Sequence, residues 1–116
     1  MRVQQQEQSL RLRIDEAELA SLLAGGTLEN TTRWPDGRME RQRLALAAQP
    51  GWQRGDEGWR LALADVAVRE LAARLPSRDG LSFELAVPGG GALRVLFDVD
   101  VRDSARRRHI DKEDQA

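Results

Sequence analysis

Asp98 and Asp100 stand two residues apart near the end of an alternating run, and a charged stretch carrying His109, Asp111 and Glu113 follows. Carboxylates at that spacing fall on one face of a strand, and hard oxygen ligands suit a divalent cation, so a divalent-metal-dependent hydrolase using Asp98 and Asp100 is one chemistry the chain could hold. The competing reading is a strand that ends in solvated charge. It is favoured because the remaining ligands lie on a segment with little but Ile110 to anchor it. His109 is the single histidine, and Arg106, Arg107 and Arg108 before it push its ring toward the neutral form. No serine stands near it on an ordered element, so a nucleophile and base pair is not indicated. Gly89, Gly90 and Gly91 fall between two strands, whereas a phosphate loop leads from a strand into a helix N-terminus. There is no cysteine, which removes disulfides, thiolate zinc sites and cysteine nucleophiles and suits a reducing cytoplasm. No cofactor is implied.

Arginine supplies the other candidate chemistry. Arg11, Arg13, Glu29, Thr31, Arg33, Arg38, Arg41 and Arg43 occupy polar sides of alternating runs in the first half. If those strands are adjacent, they form a basic stripe able to hold phosphate, single-stranded nucleic acid or an acidic partner, with Trp34 or Trp52 as a stacking platform. Cross-strand salt bridging with Glu16, Glu29 and Glu40 accounts for the same residues more simply. The chain carries 18 basic and 19 acidic residues, a formal charge of −1, so it offers no general attraction to a polyanion. Arg11, Arg13, Glu29, Thr31, Arg33 and Trp52 are the binding candidates, for an unknown protein or a small anionic ligand, with nucleic acid the less favoured partner.

The elements that must position these residues come in two copies. Leu10 to Ile14 and Trp59 to Leu63 are alternating strands that each run into a helical pattern, a shift of 49 residues from Leu10 to Trp59. The shift carries Leu19, Leu22 and Leu23 onto Val68, Leu71 and Ala72. Beyond the helices, Leu28 to Gly37 and Leu81 to Gly91 are each a strand ending in a Pro and Gly turn, followed by a last strand. Asp15 with Glu18 makes a capping box, and Asp65 is the expected cap of the second helix. Trp59, replacing Leu10, is a core residue on pattern. Trp52, in a loop among Gly, Gln and Arg, either covers the seam between the halves or awaits a partner.

The run Ser9-Leu10-Arg11-Leu12-Arg13-Ile14, then Glu18-Leu19, then Gly26-Thr27-Leu28-Glu29-Asn30-Thr31-Thr32-Arg33-Trp34 resembles a family of small uncharacterised bacterial proteins. Their first strand is Ser-Ile-Arg-Leu-Arg-Leu-like and their second is built on Glu-x-Thr and ends in an aromatic. Asp79 to Glu84, and Asp98 with Asp100, fall where those proteins have a polar turn and a Glu-x-Asp pair. Their cysteine after the final strand is missing here, and Arg106, Arg107 and Arg108 interrupt the acidic tail. The resemblance implies the fold boundaries and brings no reaction.

The expectation is therefore an α+β fold: a duplicated β-α-β-β unit giving a six-stranded, curled, mostly antiparallel sheet or barrel with two helices. Residues 1–8 are expected as a flexible N-terminal segment, 9–101 as one domain with repeat halves 9–47 and 59–101, and 102–116 as a charged, disordered tail. With 116 residues one core is affordable without staples, and no apolar run approaches the ~20 residues of a membrane span. The functional expectation is a cytoplasmic, non-catalytic binding or interaction module, monomeric or homodimeric, without membrane contact.

Overall fold

In a computed structural model, which describes residues 1–77 and 79–101, the chain forms eight strands and two helices. The order is β1 (Arg2–Gln6), β2 (Ser9–Asp15), α1 (Glu16–Leu23), β3 (Leu28–Arg33), β4 (Met39–Ala47), β5 (Gly51–Gly55), β6 (Gly58–Ala64), α2 (Asp65–Arg74), β7 (Leu81–Ala86) and β8 (Ala92–Asp100). The element order β-β-α-β-β thus occurs twice along the chain, and the expected six strands become eight. The flexible segment expected at 1–8 contains β1, and the loop expected at Gln49 to Gly58 contains β5. Both have one apolar side chain facing inward, Val3 and Trp52, so alternation scarcely registers in them. The 49-residue shift places β5 on β1 residue for residue.

The strands form two four-stranded sheets, in the orders β1-β2-β8-β7 and β3-β4-β6-β5, in place of one curled sheet or barrel. Each sheet joins the opening hairpin of one half to the closing hairpin of the other. The physical reason lies in the helices: α1 leaves the first sheet at the end of β2 and delivers the chain to β3 in the second, and α2 makes the return crossing. The seam of each sheet is a parallel pair, β2 with β8 and β4 with β6, while the hairpins are antiparallel. Register repeats with the sequence. Leu12 pairs with Phe97 as Leu61 pairs with Leu44, and Leu28 pairs with Leu44 as Leu81 pairs with Phe97.

One core results. Leu10, Leu12, Ile14, Val95 and Phe97 from the first sheet meet Leu44, Trp59, Leu61 and Leu63 from the second, with Leu19, Leu22, Val68 and Leu71 from the helices. Leu12 and Leu61, and Leu22 and Leu71, are fully or almost fully buried in their pairs, all within the one core. The helices differ in their starts. Asp15 caps α1, its side chain accepting from the Glu18 amide at 2.8 Å while Glu18 accepts from the Asp15 amide at 3.1 Å. Asp65 does not cap α2: it is the first helical residue, and Arg69 one turn on donates to it at 3.0 Å. Among the described residues no helix is long and apolar enough to cross a membrane.

Candidate functional site

Hairpin exchange separates the arginines expected to form one stripe. Arg11 and Arg13 lie on the outer face of the first sheet, Glu29, Thr31, Arg33, Arg41 and Arg43 on that of the second, and Arg38 in the turn between β3 and β4. The single basic stripe is therefore two surfaces.

On the first sheet the arginines are already engaged. The parallel register sets Arg13 opposite Asp98, and Arg13 Nε donates to Asp98 Oδ1 at 2.6 Å. Arg11 donates to Oδ2 from Nε at 3.0 Å and from the guanidinium terminus at 2.9 Å. Partial burial pushes the Asp98 carboxyl up, but the hydrogen bonds and charges of Arg13 and Arg11 outweigh it and hold the group below its ordinary value. The same hydrogen bond raises Arg13. A cation at Asp98 would have to displace two guanidinium groups. Asp100 pairs in register with Asp15, while His109, Asp111 and Glu113 lie outside the described residues. Among those described, no cluster of three or more His, Asp or Glu side chains is placed to hold a metal ion.

On the second sheet the charges are looser. Glu29 sits between Arg41 Nε at 3.4 Å and Arg43 Nε at 3.9 Å, and Arg41 reaches Glu57 at 3.3 Å. Arg41 Nε is shielded from solvent and aligned with no acceptor, despite its closeness to Glu29. Arg60 has no ion-pair partner among the described residues. Arg41, Arg43, Arg54 and Arg60 line a cleft of about 270 Å³ beside the β5–β6 turn, together with Asp56 and Glu57. Gly58 makes that turn fit: its φ is +154°, and a Cβ there would lie 1.9 Å from the Arg41 carbonyl oxygen. The face is mixed in charge, which is the arrangement expected of cross-strand pairing.

The third surface is a groove between the two sheets. It is lined by Trp52 and Arg54 of β5, Leu85 and Ala86 of β7, Val87 and Pro88 of the turn, Leu93 of β8 and Gln8, and encloses about 790 Å³. Trp52 remains 38 % exposed, and the Arg54 guanidinium carbon lies 5.2 Å from its ring centroid, within cation–π range. Trp52 thus faces the groove between the sheets, with its indole only partly covered. The other binding candidates, Arg11, Arg13, Glu29, Thr31 and Arg33, are not in this lining.

Repeat equivalence provides an internal control. The residues equivalent to Leu85, Val87 and Leu93 are Thr32, Trp34 and Glu40, a shift of 53 residues from Leu28 to Leu81, and the residue equivalent to Trp52 is Val3. In that half the hairpin is polar: Trp34 Nε1 donates to Glu40 Oε2 at 3.1 Å, and Thr32 pairs with Glu40 in register. Equivalent backbone thus carries Leu85 and Leu93 in one half and Thr32 and Glu40 in the other, while the third position exposes a large apolar side chain in both, Val87 and Trp34. In the sequence alone, Leu85 and Leu93 are ordinary members of alternating strands. The signal that could have found them was the mismatch between the copies.

No protein-family model matches the chain, and no curated protein matches it.

Proposed function

We propose that the chain is a small, non-catalytic binding module whose contact surface is the groove between β5 and the β7–β8 hairpin. The observation that carries this reading is the unequal pair of linings: Leu85 and Leu93 against Thr32 and Glu40 on equivalent backbone. Leu85 and Leu93 pack against the core while leaving one side on the groove, and Thr32 and Glu40 at the equivalent positions would make that lining polar, so these two positions set the apolar character of the groove. A concave, mostly apolar lining with one cation suits an elongated apolar ligand that ends in or carries an anion. The cysteine-free composition suits work in the cytoplasm, as a monomer or a homodimer. Hydrolysis at Asp98 and Asp100 has less support, because two arginines occupy the Asp98 carboxylate.

The test uses anilinonaphthalene sulfonate, an apolar anion. The native protein should bind it at one site, Trp52→Ala should abolish the fluorescence gain with the cooperative melt intact, and Trp34→Ala should leave it unchanged. Equal binding by the two variants, or none by the parent, removes the groove from consideration. Thermal melts with Mn²⁺, Mg²⁺ and Zn²⁺ address the hydrolase directly: stabilisation that disappears in Asp98→Asn would establish the metal site instead.

A further inference from the structure

Building on the groove reading, we infer that the occupant is an extended peptide segment of a partner protein, bound by adding a strand to the free edge of β7 with its apolar side chains on Trp52, Leu85 and Val87 and a carboxylate at Arg54. Among the described residues, β7 is hydrogen-bonded to β8 on one side and to no strand on the other. The Val87 amide donates to the Gly91 carbonyl at 3.1 Å, which sets the phase of the hairpin. In an antiparallel pair the inward-bonded residues alternate, so the amides and carbonyls of Ser82, Glu84 and Ala86 point outward from the sheet. These are three consecutive repeats of a strand edge with its hydrogen bonds unspent.

Edge strands are ordinarily blunted by lysine, proline, inward charge or a bulge. β7 has one weak such device, the exposed charge of Glu84, and no lysine, proline or inward charge, and its pairing with β8 runs unbroken from Leu81 opposite Phe97 to Ala86 opposite Ala92. Such an edge beside an apolar trough is the geometry of strand addition, in which backbone bonds supply affinity and pockets for alternate side chains supply selectivity. Arg54 is the single charged side chain among the residues lining the trough, so charge complementarity calls for a carboxylate on the peptide.

Two other occupants fit less well. Residues 102–116 of this chain carry five basic and four acidic side chains with Ile110 as their one large apolar residue, so they lack alternating apolar positions. A second copy pairing β7 to β7 about its three outward residues would set Glu84 against Glu84, and like charges directly opposite are destabilising.

The test compares two synthetic probes with the full chain: a soluble, capped peptide alternating valine and threonine with one glutamate among the valines, and the same peptide N-methylated at every amide on the pairing edge. The unmodified peptide should bind about tenfold or more tightly than the methylated one, since two or three backbone hydrogen bonds are removed. Hydrogen exchange at the Ser82, Glu84 and Ala86 amides should slow about tenfold on binding, with Phe83 and Leu85 unchanged. Equal affinity of the two probes with no new protection on β7 overturns strand addition while leaving the groove as an apolar site. Binding of neither peptide nor of anilinonaphthalene sulfonate overturns the groove reading itself. Protection of β7 that grows with protein concentration in the absence of peptide overturns the partner-peptide assignment in favour of a second copy.

Discussion

The hairpin β3–β4 and the hairpin β7–β8 occupy equivalent places in the two halves, share register with their neighbours, and differ in chemistry at two facing positions. One shows Thr32, Trp34 and Glu40, held by an indole to carboxylate hydrogen bond; the other shows Leu85, Val87 and Leu93. Where duplicated halves agree, the shared backbone sets the requirement, as at Leu12 with Leu61 and Leu22 with Leu71. Where they disagree, as at Leu85 and Leu93 against Thr32 and Glu40, the backbone accepts either chemistry at the margin of the core, and the choice decides what the surface beside it can bind.

The strongest way to break this comparison is through the agreeing positions. Leu12→Ala and Leu61→Ala should each cost about 3 kcal/mol in chemical denaturation, because both leave a cavity in the same core. Unfolding curves in which one is nearly neutral would deny the halves a common role in it. Next comes Gly58, whose equivalent in the other half is Ser9. Gly58→Ala forces a Cβ against the Arg41 carbonyl at a positive φ and should lower stability by about 2 kcal/mol, while Ser9→Ala should stay within about 0.5 kcal/mol. Thermal melts of the two variants read the contrast.

Smaller effects come from caps and charges present in one half only. Asp15→Ala should cost about 1 kcal/mol by removing a reciprocal cap, as measured by urea unfolding, whereas its equivalent Ala64 makes no side-chain cap. Asp98 stands where the other half has buried Ala45, and its carboxyl is held below its ordinary value. A depressed carboxyl contributes stability that is fully present above its unfolded pKa of ~3.9 and is lost as pH falls through the folded value. Asp98→Asn should therefore cost somewhat under about 1 kcal/mol at neutral pH, given arginines that are nearly half exposed, and the deficit should shrink as pH falls below the unfolded value and through the depressed folded one. A pH series of melts shows whether the parent and variant curves converge on the acid side.

Much of the architecture was legible in the chain. Alternation in Leu10 to Ile14, the leucine spacing of α1, the Asp15 cap and the turn residues at Pro35 and Pro88 all carry local physics into local structure. β1 and β5 escaped because each buries only one side of an edge strand, leaving Gln4, Gln5 and Gln6, or Gly51 and Gly55, to dominate the pattern. Strand partners escaped for a different reason: alternation reports which face of a strand is buried and is silent about which strand lies beside it. Hairpin exchange therefore could not be read, and with it went the separation of Arg11 and Arg13 from Arg41 and Arg43. Salt bridging as the fate of the arginines was readable, though Asp98 and Glu57 are acceptors that the sequence pattern did not assign to it. The groove depends on the same missing information, since Trp52 meets Leu85 and Leu93 only because β5 and β7 come from different sheets.

The most direct measurement is a melt and a dye titration on the doubly substituted chain Leu85→Thr with Leu93→Glu, which installs the residues of the first half in the second. Half-buried leucines exchanged for side chains that the equivalent backbone already accepts should cost about 2 kcal/mol, leaving a cooperative melt, and anilinonaphthalene sulfonate binding should be lost. Loss of cooperative folding would show that those leucines belong to the core, and undiminished dye binding in a folded variant would show that the groove is not the binding surface.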